Sequence, residues 1–191
     1  ADTYLANLDS AASFNKTALV TGIVDYQLDT KTIYNTLIVV GNKEHNDERG
    51  HYRYLDKNRY RKHQLLPIGE FVPFQDILRP IAPLFDLPMS SFTRGDRVQN
   101  NLRANGFKLL PAICYEIVFA DLVRGNYQSD SDLLFTVSND AWFGDSIGPL
   151  QHMQIARMRA LELQRPLVRV TNNGVSAVYD PISHTQQTMP Q

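Results

Sequence analysis

The sequence holds a single cysteine, Cys114, so no internal disulfide can form, and no pair or cluster of cysteines suggests a structural zinc site. His45, His51, His63, His152 and His184 show no ligand spacing with cysteine or carboxylates, and neither a metal nor any other cofactor is expected. Long apolar runs are missing too: stretches such as Leu37 to Val40 fall far short of the roughly 20 residues needed to cross a bilayer. Charge is balanced, 19 basic against 20 acidic residues for a net of -1, so the basic footprint of a nucleic-acid binder is absent. There is no internal repeat and no low-complexity tract. What is present is a chain of 191 residues, 43% hydrophobic with nine Tyr and nine Phe, enough apolar surface to offset the ordering entropy of one globular unit.

Apolar Tyr4, Leu5, Leu8, Ala11 and Ala12 recur at helical spacing, and Ala18 to Val24 reads as a buried strand. Branched residues from Thr32 to Val40 stop at Gly41-Asn42, and a polar loop from Glu44 to Gly50 leads to Tyr52-Arg53-Tyr54-Leu55, which predicts a hairpin. Phe107 to Cys114 and Asp132 to Ser138 are strand candidates flanking a helical pattern at Ile117 to Arg124. Pro149 to Gln164 is the longest predicted helix, ending before Arg165-Pro166. Within it Met153 and Met158 should pack against the core, and Arg159, Glu162 and Arg165 should form ion pairs. Leu167 to Val170 then starts a strand, and Asn172-Asn173-Gly174 turns it into Val175 to Tyr179. Alternating strands and helices with hairpins predict a layered α/β domain.

Cys114 ends an apolar strand just before a helical segment. It is either a nucleophile exposed at a strand-to-helix elbow, where a helix N-terminus favours the thiolate, or a buried core thiol. Tyr60 to Glu70 carries Lys62 and Glu70 eight residues apart around Pro67 and Gly69, poor material for helix or central strand and suited to a fixed loop. A solvated basic run, Arg59-Arg61-Lys62-His63, is the alternative. Spacing alone does not bring these three side chains together.

Lys62 in Tyr-Arg-Lys-His, Glu70 in Pro-Ile-Gly-Glu-Phe-Val-Pro and Cys114 in Ile-Cys-Tyr-Glu follow the order and local signatures of the nitrilase superfamily, the carbon-nitrogen hydrolase-like proteins. Ser138 to Gly144, Arg157 to Pro166 and Thr171 to Gly174 continue the match, and the chain resembles the branch of apolipoprotein N-acyltransferases from bacterial inner membranes. The resemblance runs from about Leu5 to Pro181 and implies a four-layer αββα sandwich. It also implies fatty acyl transfer from a membrane phospholipid through a Cys114 thioester to the α-amine of a diacylglyceryl-cysteine apolipoprotein, in a domain facing the periplasm. Lys62 would stabilise thiolate and oxyanion, Glu70 would orient Lys62 or assist proton transfer, and Tyr115 and Glu116 would support the site, their alternative being a buried polar pair closing the strand end.

The resemblance also implies a general-base Glu on a strand end upstream of the lysine. Glu44 and Glu48, in a polar turn, do not fit, so that base, its strands and the membrane helices are expected before Ala1, and residues 1–191 alone, a fragment of the catalytic domain, are expected to be inactive. Phe71 to Met89, interrupted by Pro73, Pro80, Pro83 and Pro88, is either a membrane-facing arm at the active-site mouth, with Phe71 and Phe74 as substrate-binding candidates, or core packing. Trp142 and Phe143 either line an acyl pocket or cap the core. The rival functions are a soluble amidase using the same Cys, Lys and Glu, and a non-catalytic interaction module.

Overall fold

The structure is a computed structural model that describes residues 2–45, 47, 52–53, 56–67, 69–71 and 92–189. Helix α1 (Asp2–Phe14) turns Leu5, Leu8 and Ala12 inward, while Tyr4 and Ala11 face solvent. Strands β1 (Ala18–Gln27), β2 (Thr32–Gly41) and β3 (Arg59–Arg61) form an antiparallel sheet in the order β1-β2-β3. The partner of β2 on its second edge is therefore Arg59–Arg61, in register Thr36 to Arg61, and not the expected Tyr52–Leu55. Tyr52 and Arg53 are not in a strand, and Tyr54 and Leu55 lie outside the described residues. The run at Ala18 to Val24 is not a buried strand either: β1 is the edge of its sheet, with Val24 68% exposed, and only Asp25 along it is buried. Continuous hydrophobicity announces a strand without telling edge from centre.

The second sheet runs β4 (Leu102–Ala104), β5 (Phe107–Ile113), β6 (Leu133–Ser138), β7 (Leu167–Thr171), β8 (Ala177–Tyr179), β9 (Gln186–Thr188), with β5, β6 and β7 mutually parallel. Helices α2 (Ala120–Asn126) and α3 (Gly148–Leu163) make the parallel crossovers. The antiparallel return of β7 into β8 occurs as expected, through a wider loop than a two-residue turn, because the first pair is Arg169 with Ala177.

Strand alternation sorts the side chains into layers. Leu37 and Val39 of β2 meet Leu109, Ile113 and Phe135 of the second sheet in an apolar cluster between the sheets. Ile38 and Val40 point the other way, onto Leu5 of α1. Leu110, Ala112 and Leu134 point outward onto Val123 of α2 and Met153, Ala156 and Ala160 of α3. The layer order is thus helix, sheet, sheet, helix, as expected. Gly41 closes the α1–β2 corner at φ 86°, where a Cβ would stand 2.6 Å from that of Ala12.

Two expectations on α3 need correction. Met158 is 51% exposed, so of the two methionines only Met153 packs inward. Arg159 and Glu162 do pair at 2.8 Å, but Arg165 bonds the carbonyls of Ser129, Ser131 and Gln164 and lies over the Tyr127 ring. Among the described residues no helix is long and apolar enough to cross a membrane.

Candidate active site

The parallel strands β5, β6 and β7 deliver Cys114, Asn139 and Asn172 to one end of the second sheet, the end where α/β folds place their ligands. Cys114 sits where β5 passes straight into a turn of 3-10 helix, Cys114–Val118, and its φ is 51°. A non-glycine residue in that region is strained by about 1–3 kcal/mol and persists only where its surroundings fix it. Half-buried and not a core thiol, it opens into a cavity of about 720 Å³ whose wall also carries Lys62, Glu70, Asn35, Phe92 and Trp142. The fold thus brings Cys114, Lys62 and Glu70 together from segments 44 or more residues apart in Glu70 to Cys114.

Lys62 leaves the end of β3 and is 2% exposed, so the basic run from Arg59 is not a solvated face. Its Nζ donates to Glu70 Oε2 at 2.6 Å. Glu70 Oε2 also accepts the Leu66 N–H at 2.8 Å, and Oε1 accepts from Asn35 Nδ2 at 2.8 Å. With both oxygens engaged, Glu70 holds Lys62. Among the described residues lining this cavity it is the only carboxylate.

Glu116 is fully buried and joins the segments that carry Lys62 and Cys114. Its Oε1 accepts the N–H groups of His63 at 2.7 Å and Gln64 at 3.0 Å, next to Lys62. Its Oε2 accepts the N–H of Ile113 at 2.8 Å, next to Cys114, and the Tyr60 hydroxyl at 3.1 Å. Burial pushes the Glu116 carboxyl up, and the N–H groups of Ile113, Gln64 and His63 with the Lys62 charge oppose it. Burial and the Glu116 charge push the Tyr60 hydroxyl far above its ordinary value, so it remains a donor. Tyr115 packs edge-on to Phe119 at 5.0 Å and lines a second cavity.

That second cavity, of about 330 Å³, meets the first at Leu66, Cys114, Asn139 and Trp142 and is walled by Tyr115, Val118, Phe143 and Ile155. Trp142 is 68% exposed and Phe143 is 40% exposed, so neither caps the core; both face the cavities beside Cys114. Phe71 is not in either wall: it lies under the Arg94 guanidinium at 5.0 Å, and Phe92 takes the place on the cavity wall. Phe74, with the rest of the proline-broken segment from 72 to 91, lies outside the described residues. Sequence reasoning missed Asn35, Phe92 and His152, whose Nε2 lies 3.2 Å from the Cys114 carbonyl oxygen.

A four-layer αββα sandwich with a cysteine elbow, a lysine and a glutamate converging on one cleft defines the class, and residues 1–188 match the carbon-nitrogen hydrolase family model. The chain belongs to that family. Among curated relatives it is similar to the apolipoprotein N-acyltransferase of Vibrio cholerae, 56% identical over 188 residues that make up 98% of this chain and 36% of that protein. The apolipoprotein N-acyltransferase of Photobacterium profundum is 55% identical over 99% of this chain and 35% of its own length. The chain therefore spans about a third of the curated relatives it matches. Among solved structures, the Caenorhabditis elegans NitFhit protein superposes with a TM-score of 0.69 over 98% of this chain and 43% of its own, at 18% identity, a likeness of fold.

Proposed function

We propose that Cys114 is the nucleophile of a ping-pong N-acyltransferase acting in lipoprotein maturation. The Cys114 thiolate attacks the acyl carbonyl of a phospholipid; the tetrahedral oxyanion collapses, the thioester forms and the lysophospholipid leaves as an alcohol, taking a proton. The α-amine of a diacylglyceryl-cysteine apolipoprotein then attacks the thioester, an amide forms, and the thiol is regenerated. Lys62, held by Glu70, supplies the cation that favours the thiolate and meets the developing oxyanion. The Tyr115 N–H, in the first helical turn after Cys114 and so without an intrahelical partner, is the second donor. Glu70 is committed to Lys62, so the base that accepts the thiol proton lies outside the described residues of this cleft, in a protein that docks this domain on the periplasmic face of a bacterial inner membrane. The cavity beyond Cys114, walled by Phe143, Val118 and Ile155, offers the acyl chain an apolar surface.

The observation that carries the reading is Cys114 at φ 51° in one cavity with Lys62 and Glu70, within a chain 56% identical to an apolipoprotein N-acyltransferase. The test incubates the protein at its full native length with phospholipid carrying a labelled acyl chain and a diacylglyceryl-cysteine lipopeptide. Label should pass to the lipopeptide with wild type and not with Cys114→Ser. Hydrolysis of short amides without acyl transfer would instead identify an amidase, and neither activity a binding module.

A further inference from the structure

Beneath Cys114, on the helix side of the second sheet, three buried charged or titratable side chains meet from three elements: Asp140 after β6, His152 on α3 and Arg169 on β7. None of them lines the larger cavity, His152 alone borders the smaller one, and the chemistry proposed above gives none of them a role. Asp140 Oδ2 accepts from Arg169 Nη2 at 2.8 Å, and Oδ1 accepts from the Ser138 hydroxyl at 2.6 Å. His152 Nδ1 stands 3.1 Å from Asp140 Oδ1 and 3.1 Å from Arg169 Nη2. His152 Nε2 stands 3.2 Å from the carbonyl oxygen of Cys114.

A carbonyl oxygen only accepts, so Nε2 must carry the hydrogen in that contact. The surroundings of Nδ1 secure this in either protonation state. In the neutral ring with its hydrogen on Nε2, Nδ1 accepts from Arg169; in the imidazolium, Nδ1 donates to Asp140 while Nε2 keeps its hydrogen. The Nε2–H bond to Cys114 survives both, which is what a fixed anchor on a backbone group requires. The carbonyl so held belongs to the one residue of β5 and its following turn with a positive φ. On the other side of Cys114 the preceding N–H, that of Ile113, is fixed by Glu116. Two bonds from different layers therefore bracket the strained residue.

We infer that His152, braced by Asp140 and Arg169, is a positioning residue that holds the Cys114 backbone in its elbow conformation and so aims the thiol into the cleft shared with Lys62. Gly174 completes the brace: a Cβ there would stand 2.1 Å from Asp140 Oδ2, so the Asn172-Asn173-Gly174 loop closes over the carboxylate only without a side chain. This rests on Cys114 being the nucleophile, but thiol reactivity can be read without any acyl substrate.

The test is iodoacetamide alkylation of Cys114 at neutral pH in the protein at its full native length, followed by mass spectrometry of the tryptic peptide from Leu109 to Arg124, with melting temperature as the folding control. Gln in place of His152 puts an amide N–H where Nε2 stands, whereas Asn reaches only to the Nδ1 position. His152→Gln should alkylate within about twofold of wild type and His152→Asn about tenfold more slowly, the ratio one hydrogen bond on the elbow can supply. Equal rates in the two variants, or faster alkylation in His152→Asn, would overturn the inference. No acyl transfer by the wild type, with the expected alkylation difference between His152→Gln and His152→Asn still seen, would count against the proposed reaction and leave this inference standing.

Discussion

Glu116→Gln tests whether one buried carboxylate ties the Lys62 loop to the Cys114 turn. Glu116 accepts two hydrogen bonds on each oxygen, three from backbone N–H groups and one from Tyr60. Glutamine keeps one oxygen and replaces the other with a donor. In the less costly orientation the oxygen stays on His63 and Gln64, Tyr60 rotates to accept from the amide, and the Ile113 N–H is left buried and unpaired at about 2 kcal/mol. The two remaining bonds lose their charge assistance, about 1 kcal/mol more in total. A loss of about 3 kcal/mol in a chain of this size lowers the melting temperature by about 10 °C. Calorimetry reads this directly, and Tyr60→Phe, which removes one donor and strands none, should cost less than half as much. A Glu116→Gln protein melting within about 2 °C of wild type, or above Tyr60→Phe, would refute the reasoning.

Gly174→Ala forces a Cβ to within 2.1 Å of Asp140 Oδ2 and should destabilise by about 2 kcal/mol or more, measured by urea unfolding; an unchanged midpoint would contradict the packing described. Burial pushes the Asp140 carboxyl up, but bonds from His152 and Ser138 and the Arg169 charge outweigh it and bring it down to about 2 from an ordinary 3.8. A depressed carboxyl contributes stability that is whole above its unfolded value and fades as pH falls, so Asp140 should give about 2 kcal/mol that is lost between about pH 4 and pH 2. Asp140→Asn should flatten that part of the acid unfolding curve. Lys62→Met removes the cation facing the cleft and should slow Cys114 alkylation by about tenfold without unfolding the protein; an unaltered rate would place the stabilising charge elsewhere.

The sequence made strands β5, β6 and β7 and the helices between them legible because Leu109 to Ile113 and Leu133 to Phe135 are continuously apolar, as a doubly covered sheet requires. The same signal misled at Ala18 to Val24, since an edge strand and a central one share it, and the true partner of β2, Arg-Tyr-Arg, has no strand-like pattern at all. Its pairing is fixed by Tyr60 buried against Glu116 and by Arg59 and Arg61 converging on Asp25, long-range contacts that no local window contains. In the site, Cys114, Lys62 and Glu70 stood out through their motifs. His152 did not, because its role is a bond to a backbone carbonyl across 38 residues, and such a bond imposes no spacing on the sequence. Asn35 and Phe92 were hidden for the same reason: each reaches the cleft from a segment without a motif of its own.

The most direct measurement is intact-mass spectrometry of the protein at its full native length after incubation with phospholipid, beside Cys114→Ala. The account predicts a fatty-acyl mass increment on the wild type that hydroxylamine removes and that the variant never acquires. A folded wild type that gains no increment, or a Cys114→Ala variant that gains the same one, would contradict Cys114 as the acyl-carrying nucleophile.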